Sequence, residues 1–176
     1  MSPEIRRGLA SDAPRLSALA SETFALACPP GTLEANIEEF CRLNLSEAAF
    51  KKYLSRQEVK IWVGHSSDNF LGHIMSVGGE PSDPVVLRHL NKPPAVEISK
   101  IYVREQIHGA GLAQLMMTQA LDNARSERAK SVWLGVNKAN QRARRFYKKM
   151  GFKNVGERKF RVGDDFEEDY VMEKLL

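Results

Sequence analysis

The 176-residue chain is poor in cysteine and has no long apolar run, and each shortage excludes a class of protein. Its two cysteines, Cys28 and Cys41, show no metal-ligand or redox spacing and are too few for a disulfide framework, so we expect reduced thiols. No run approaches the roughly 20 apolar residues that cross a bilayer, and no apolar stretch follows Arg6 and Arg7 to make a signal peptide. The sequence therefore predicts a cytoplasmic protein without a membrane span, with the whole chain as its mature form.

The sequence also has few histidines and only a small excess of positive charge. His65, His73, His89 and His108 lack ligand-like pairing, which predicts no metal site. The 26 Lys and Arg residues face 22 Asp and Glu residues, an excess of +4 that fits an anionic cofactor as well as nucleic acid. Basic residues concentrate between positions 142 and 153, where they form either a solvated helix face or a contact with phosphate.

Hydrophobic patterning predicts one mixed α/β domain over residues 1–176. The hydrophobic and charged contents, 43% and 27%, are near globular averages, and no repeat, linker or low-complexity segment divides the chain. Runs of β-forming residues predict strands at 4–9, 60–64, 70–77, 95–103, 131–136, 152–162 and 166–175. Helices are expected after the N-caps Ser11 and Thr32, from Ser46, from Gly109 onward and over 140–150, whereas 78–94 is expected to be a loop.

The segment 103–112 joins a predicted strand directly to a long predicted helix, and its composition indicates anion binding. Gly109 and Gly111 allow a tight turn and let a ligand approach the backbone, while the first N–H groups of a helix lack internal partners. Those groups and the positive end of the helix dipole suit a pyrophosphate. The segment has neither the Gly-Lys-Ser/Thr ending of a P-loop nor the third glycine of a dinucleotide-binding turn. A plain turn between strand and helix is the alternative.

Two motifs resemble those of the GNAT superfamily of N-acetyltransferases. The first is Gln or Arg, two residues, Gly, one residue, then Gly or Ala, and it is satisfied by Gln106, Gly109 and Gly111. The second resembles Asn-x-x-Ala-x-x-Phe-Tyr-x-x-x-Gly-Phe and stands at the expected separation, as Asn140, Ala143, Phe146, Tyr147, Gly151 and Phe152. The resemblance implies acetyl-CoA as co-substrate and the family's fold, a mostly antiparallel, partly splayed sheet of about seven strands with helices on both faces.

The resemblance also implies how acetyl-CoA is bound. The strand before Gln106 would diverge from the strand at 132–136 and open a cleft in which main-chain groups of Ile101 and Val103 bind the pantetheine arm. Asn140 would contact the cofactor farther along, and its alternative role is the N-cap of the last helix. The loop and helix start that would hold the pyrophosphate comprise Gln106, the backbone of His108, Gly109, Ala110, Gly111 and Leu112.

Acetyl transfer to an amine requires the removal of a proton, because an alkyl ammonium group has a pKa of roughly 10.4. Period-two alternation places Glu97 on the same strand face as Ile101 and Val103, beneath the expected cleft. Its carboxylate is therefore the candidate proton acceptor, directly or through water. The alternative for Glu97 is a structural ion pair with Lys92 or Lys100.

Tyr147 is the candidate proton donor to the CoA sulfur as the C–S bond breaks, since a phenol can donate a proton. Together with Ala143, Phe146 and Met150 it also forms an apolar helical stripe, so a buried core tyrosine is the alternative. Main-chain N–H groups of the diverging strand would hold the thioester carbonyl oxygen.

The acceptor is expected to be a small-molecule or peptide amine. Segments 98–103, 133–136 and 146–152 and the closing hairpin after Gly163 look similar to bacterial polyamine N-acetyltransferases, which makes spermidine or spermine a candidate. The carboxylates of Glu34, Glu38, Glu39 and residues 164–169 either attract such a polycation or form a solvated surface. Peptide or protein amines and amine antibiotics are alternatives within the same enzyme class.

Two further classes of protein are alternatives to an enzyme. A non-catalytic acetyl-CoA-binding regulatory module would keep the fold without turnover, and a nucleic-acid-binding domain would use the basic run at 142–149. The intact Tyr147 argues against the first, and the helical spacing of the basic residues argues against the second, so we expect no nucleic-acid partner. Homodimers are common in families of this kind and are an expected assembly.

Overall fold

A seven-stranded sheet forms the centre of the computed structural model, which describes residues 3–176. The strands lie in the order β1-β2-β3-β4-β5-β7-β6, and every neighbouring pair is antiparallel except β4 and β5, which are parallel. This arrangement confirms the predicted fold class. The strands are β1 (Glu4–Arg7), β2 (Val59–Ser66), β3 (Asn69–Val77), β4 (Ala95–Val103), β5 (Ser131–Asn137), β6 (Lys153–Val162) and β7 (Asp165–Leu175).

Helices cover both faces of the sheet. On one face, α5 buries a stripe of apolar residues against Ile74, Ile98 and Leu134 of the strands, and α6 packs beside it through Tyr147. On the other face, α1 packs on β3, α3 on β2 and α2 on β6, and α4 packs on Trp133. The helices within residues 3–176 are α1 (Ala13–Phe24), α2 (Glu34–Asn44), α3 (Glu47–Ser55), α4 (Pro84–His89), α5 (Leu112–Ser126) and α6 (Gln141–Lys149). None of these helices is long and apolar enough to cross a bilayer.

The segment expected to be a loop at 78–94 contains a short helix. Asp83 caps α4, since its side chain accepts a hydrogen bond from the Val85 N–H, and Pro84 occupies the first turn. Proline suits that position because the N–H it lacks would have no partner there. The loop prediction was wrong because the prolines of this segment were interpreted only as helix breakers.

Both expected helix caps are different in the structure, whereas the helix expected from Ser46 does begin there, with the Ser46 side chain accepting from the Ala49 N–H. At the first helix, Asp12 replaces Ser11, and its carboxylate accepts from the Leu9 N–H at 2.8 Å. The Thr32 hydroxyl instead donates to the carbonyl oxygen of Pro29. A short polar side chain near a helix start can form its hydrogen bond with a nearby backbone group of the preceding turn instead of with the helix. The sequence pattern does not reveal which of the two occurs.

The parallel pair β4 and β5 diverges soon after it begins. Pairing is restricted to Ala95, Val96 and Glu97 of β4, opposite Ser131–Trp133 of β5. Residues 98–103 of β4 therefore keep β3 as their only strand neighbour, and the backbone on their β5 side is free of sheet hydrogen bonds. The divergence opens the sheet near its centre.

Candidate active site

A cleft of about 940 Å³ passes through the sheet where β4 and β5 diverge. One end is bordered by the start of α5 and by α6, and the other by α1, β6 and β7. Of the eleven residues expected to act in catalysis or cofactor binding, nine line this cleft: Glu97, Ile101, Val103, His108, Gly109, Gly111, Leu112, Asn140 and Tyr147. The fold thus brings together the two motifs and both candidate catalytic residues.

The start of α5 is an open anion-binding site. Gly109 and Gly111 have φ angles of +85° and +83°, and no atom outside their immediate chain neighbours lies within 4 Å of the position of a Cβ on either residue. Gly111 is the N-cap and supplies no side-chain acceptor, so the N–H groups of the first turn of α5 are available to a ligand. With the positive end of the helix dipole, this backbone fits a diphosphate.

The ring of His108 holds an arginine beside this loop. Its Nε2 lies 2.9 Å from the Val103 carbonyl oxygen, and its Nδ1 lies 2.8 Å from Nη1 of Arg142. Because the carbonyl can only accept, Nε2 carries the hydrogen and Nδ1 accepts from Arg142. Arg142 also lines the cleft. It was not singled out as a site residue, although the basic run at 142–153 was the sequence signal for it.

Gln106 and Ala110 are the two expected cofactor-binding residues that do not line the cleft. Gln106 is exposed within a short 3₁₀ turn at Glu105–Ile107, and Ala110 is exposed at the loop surface. Neither side chain lines the cleft, whereas Ile107, Ala113 and Gln114 do. The spacing of the motif indicated the loop, but not which of its side chains face inward.

Asn140 caps α6, the role that was the alternative to cofactor binding. Its Oδ1 accepts from the Ala143 N–H at 3.1 Å, so the start of the helix uses the acceptor end of this amide. The donor end, Nδ2, makes no hydrogen bond within residues 3–176, and Asn140 lines the cleft. Both roles are therefore compatible.

Glu97 does not share a face with Ile101 and Val103, and the expected alternation was wrong at this point. In the pairing with β3, Met75 lies opposite Lys100 and Ser76 opposite Ile98, so Ser99 is an extra residue that forms a β-bulge. The bulge reverses the alternation, which places Glu97 with Lys100 and Tyr102 on the α1 face. The extra residue of the bulge is a serine and not a glycine, so the sequence gives no local indication of it.

The carboxylate of Glu97 makes no ion pair or hydrogen bond with any residue of 3–176, so neither Lys92 nor Lys100 holds it in a direct pair. Burial raises its pKa, an effect that the nearby charges of Arg158 and Lys100 partly oppose. A largely buried carboxyl group with a raised pKa, facing a cleft, has the properties of a proton acceptor.

Tyr147 is only 8% exposed, yet it lines the cleft. Its ring packs near Phe146 and Phe152, with centroids 5.5 Å and 6.1 Å away, and its hydroxyl makes no hydrogen bond within residues 3–176. Burial raises its pKa, with a further increase from the carboxylate of Asp169. The phenol is therefore protonated at neutral pH and free to donate a proton into the cleft.

On the α1 face the cleft contains three charged residues, Lys100, Arg158 and Asp169, of which only Asp169 was expected near the acceptor. Arg158 of β6 lies opposite Asp169 of β7, with Nη2 3.5 Å from Oδ2, and both side chains are nearly buried. Burial raises the pKa of Asp169 to about 6, although Arg158 opposes this effect. Burial also lowers the pKa of Lys100 to about 8. Only the pairing of strands distant in sequence brings these groups together.

The other carboxylates expected near the acceptor have different positions. Glu34 and Glu38 are exposed on α2, and Asp164 is 92% exposed beside Arg161. Glu167 and Asp169 line the cleft. Within residues 3–176 no group of three or more His, Cys, Asp or Glu residues is placed to hold a metal ion.

The family model of the GNAT acetyltransferases matches residues 24–152 of the chain. An uncharacterized N-acetyltransferase of Mycobacterium tuberculosis is 40% identical over 166 residues, which cover 94% of this chain and 99% of the relative. Another from Lactobacillus delbrueckii subsp. lactis is 32% identical over 84 residues, covering 48% and 49% of the two chains.

Solved structures share the fold. The PaiA N-acetyltransferase from Thermoplasma acidophilum, determined in complex with coenzyme A, superposes with a TM-score of 0.80 at 18% identity over the full length of both chains. A ribosomal-protein-alanine N-acetyltransferase from Brucella melitensis gives a TM-score of 0.66 at 20% identity, covering 98% and 99%. The chain therefore belongs to the GNAT family of acetyltransferases and is an N-acetyltransferase that uses acetyl-CoA.

Proposed function

We propose that this enzyme transfers the acetyl group of acetyl-CoA to a primary amine by direct attack in a ternary complex. The observation that supports this most is a continuous cleft between β4 and β5, which connects an uncapped helix start on one face of the sheet to buried charged side chains on the other. In this proposal residues 1–176 act as a single cytoplasmic domain.

The donor end of the cleft is assigned to the CoA moiety. The N–H groups around Gly109 and Gly111 would hold the pyrophosphate, with Arg142 adding a positive charge nearby. The backbone of Ile101 and Val103 lacks a β5 partner and would bind the pantetheine amides as a strand would. The free Nδ2 of Asn140 would donate to the cofactor without giving up the helix cap.

Direct attack is favoured over a covalent acyl-enzyme, because the cysteines are poor nucleophiles. Cys28 lines the cleft, but burial raises the pKa of its thiol to about 11. Burial also raises the pKa of Cys41, which lies outside the cleft lining. A thiol acts as a nucleophile only as its thiolate, so neither side chain is activated at neutral pH.

Each proton movement of the transfer has a candidate residue. The carboxylate of Glu97 would accept the ammonium proton, so that the neutral nitrogen can form the new N–C bond. Free N–H groups of β4 beyond Glu97 would stabilise the negative charge on the carbonyl oxygen. The hydroxyl of Tyr147 would protonate the departing thiolate as the C–S bond breaks, and the second proton that the nitrogen loses as the amide forms would return the phenolate to a phenol.

Polyamines such as spermidine or spermine are the acceptors that the sequence resemblance suggests. Within the cleft, the carboxylates of Glu97, Glu167 and Asp169 support an acceptor whose amine arrives as an ammonium ion. A peptide or protein amine and an amine antibiotic are the alternatives in the same class. A homodimer is the proposed assembly, on the ground of the family resemblance.

An amine panel tests this function. The purified chain is incubated with acetyl-CoA and polyamines, amino acids, peptides or aminoglycosides, while free thiol is measured and products are identified by mass spectrometry. We expect thiol release that depends on the amine, an acetylated product, and intersecting initial-rate lines when both substrates are varied. Binding of CoA without turnover of any amine would contradict the proposal, and parallel lines would contradict the ternary complex.

A further inference from the structure

Arg158 lies in the cleft where the adjacent part of the sheet has a glycine in place of a side chain. Its guanidinium lies against Gly135 of β5, where a Cβ would come within 2.3 Å of Nη2. The guanidinium also lies 5.4 Å from the ring centroid of Trp133 and 5.2 Å from that of Phe160. The space left by Gly135 and the two rings therefore hold the Arg158 guanidinium against β5 at the wall of the cleft. β5 is the strand that diverges from β4.

Much of the hydrogen-bonding capacity of this guanidinium is unused. Arg158 is 13% exposed, and its Nε is fully buried without a partner. Its one polar contact within residues 3–176 is with Asp169, at 3.5 Å between Nη2 and Oδ2, which is long for a hydrogen bond. Arginine has five N–H donors in a planar fork, and a buried donor without a partner usually indicates a missing ligand or water.

The surrounding charges leave room for an anion. Lys100 also lines the cleft and forms no ion pair within residues 3–176, its Nζ lying 5.0 Å from the ring centroid of Tyr53. The carboxyl groups in this part of the cleft are those of Glu97 and Asp169, whose charged forms burial disfavours, and Glu167, which accepts a hydrogen bond from Asn137. Of the two largely buried cations, only Arg158 has a carboxylate within ion-pair distance among residues 3–176.

We propose that Arg158 binds an oxyanion of the acceptor, so that the substrate is an amine carrying an anionic group, with a carboxylate as the expected one. This inference rests on the proposed function and specifies its acceptor. A guanidinium binds a carboxylate through two parallel hydrogen bonds, which orients the substrate as well as attracting it. The amine at the other end of such a substrate would extend toward the opening between β4 and β5. A polycation would instead meet Arg158 and Lys100 as like charges.

Pairs of acceptors that differ only in the anionic group test whether the enzyme recognises that group. β-Alanine, 4-aminobutyrate and 5-aminopentanoate are each compared with the alkylamine that lacks the carboxylate, and α-amino acids with their decarboxylated amines. Taurine and 2-aminoethylphosphonate replace the carboxylate by sulfonate and phosphonate, and spermidine represents a polycation. We expect kcat/KM for the best amino acid to exceed that of its matched amine by about 10- to 100-fold, mainly through KM. A stronger preference for the phosphonate or the sulfonate would support the oxyanion site and change its ligand.

Three variants attribute this preference to Arg158. Arg158→Gln should remove most of the ratio between the amino acid and its matched amine. Gly135→Ala should lower the ratio without removing the charge, because the new methyl group displaces the guanidinium and Gly135 does not have a positive φ angle. Lys159→Gln removes an exposed positive charge one residue away and should leave the ratio as in the wild type. Thermal melting and calorimetry with CoA check that each variant is folded.

A structural role for Arg158 would lower both rates together and leave their ratio unchanged. Equal turnover of amino acids and matched amines, or a preference for spermidine, would overturn the inference while the proposed function stands. Absence of thiol release with every amine would overturn both. If Arg158→Gln does not fold, the ratios measured for the wild type and Gly135→Ala decide the matter.

Discussion

The two ends of the cleft recognise their ligands by different means. Most of the donor end comes from one stretch of the chain, residues within 101–114, with Asn140 and Arg142 of the α6 region, and it offers main-chain groups and a helix start. The acceptor end is built from Glu97, Lys100, Arg158 and Asp169, which three separate strands contribute and which are buried charges. Main-chain recognition tolerates changes of side chain, whereas a buried charge selects its ligand. In the proposed function, the donor end would therefore bind a shared co-substrate, and the acceptor end would determine which amine is used.

The largest expected effect is at Tyr147, which lies where the two ends meet. Tyr147→Phe removes the proton donor and should lower kcat by about 10²- to 10⁴-fold. Calorimetry should give a dissociation constant for CoA within about twofold of the wild type, because the ring and its packing are kept. An unchanged kcat would exclude Tyr147 from the mechanism. A weakened CoA affinity would instead place it at the donor end.

Glu97→Gln should impair the acceptor end of the cleft and leave the donor end unchanged. Loss of the proton acceptor should lower kcat/KM at pH 7 by about 10²-fold, with CoA affinity unchanged. The deficit should shrink toward pH 10, because the free amine then deprotonates in solution with a pKa of roughly 10.4. Rates measured from pH 6 to 10 test this. A deficit that is constant with pH would indicate a structural role for Glu97.

Gly109→Asp should act on the donor end alone. The new carboxylate would compete with the pyrophosphate for the start of α5, which should weaken CoA binding by about 10- to 100-fold. Gly79→Asp is the matched control, since Gly79 has a φ of +100°, an equally open Cβ position and no place in the cleft lining. Calorimetry with CoA compares them. Equal loss in both variants would attribute the effect to backbone strain.

The smallest expected effect is on the free energy of unfolding of the protein, through Asp169 at the acceptor end of the cleft. Folding raises the pKa of Asp169 to about 6, so the folded state binds more protons than the unfolded state between about pH 4 and 6. The free energy of unfolding of the wild type, relative to Asp169→Asn, should therefore fall by on the order of 2 kcal/mol as pH rises from 4 to 7. Denaturant unfolding at each pH measures it. A rise over this range would show that the Arg158 pair outweighs burial.

Most of the fold could be predicted because its signals are local. The strand at 95–103 was predicted with the bounds that β4 has, and Ser46, Gly163 and the apolar stripe of α5 gave correct boundaries or elements. The errors arose where one residue had two local uses, as at Thr32, or where a proline suited the first turn of a helix, as at Pro84. The bulge at Ser99 depends on the partner strand and could not be predicted from β4 alone.

The sequence by itself indicated the loop and helix start of the donor end, because a strand, two glycines and a helix start that are adjacent in the chain come together without help from elsewhere. It also determined the family, through motifs whose spacing is a property of the chain. Only the tertiary structure decided the acceptor end. Glu97 changed face through a bulge set by β3, and Arg158 reached Gly135 through the pairing of β5, β6 and β7. Contacts between residues far apart in sequence, and the burial that perturbs their pKa values, exist only in the folded sheet.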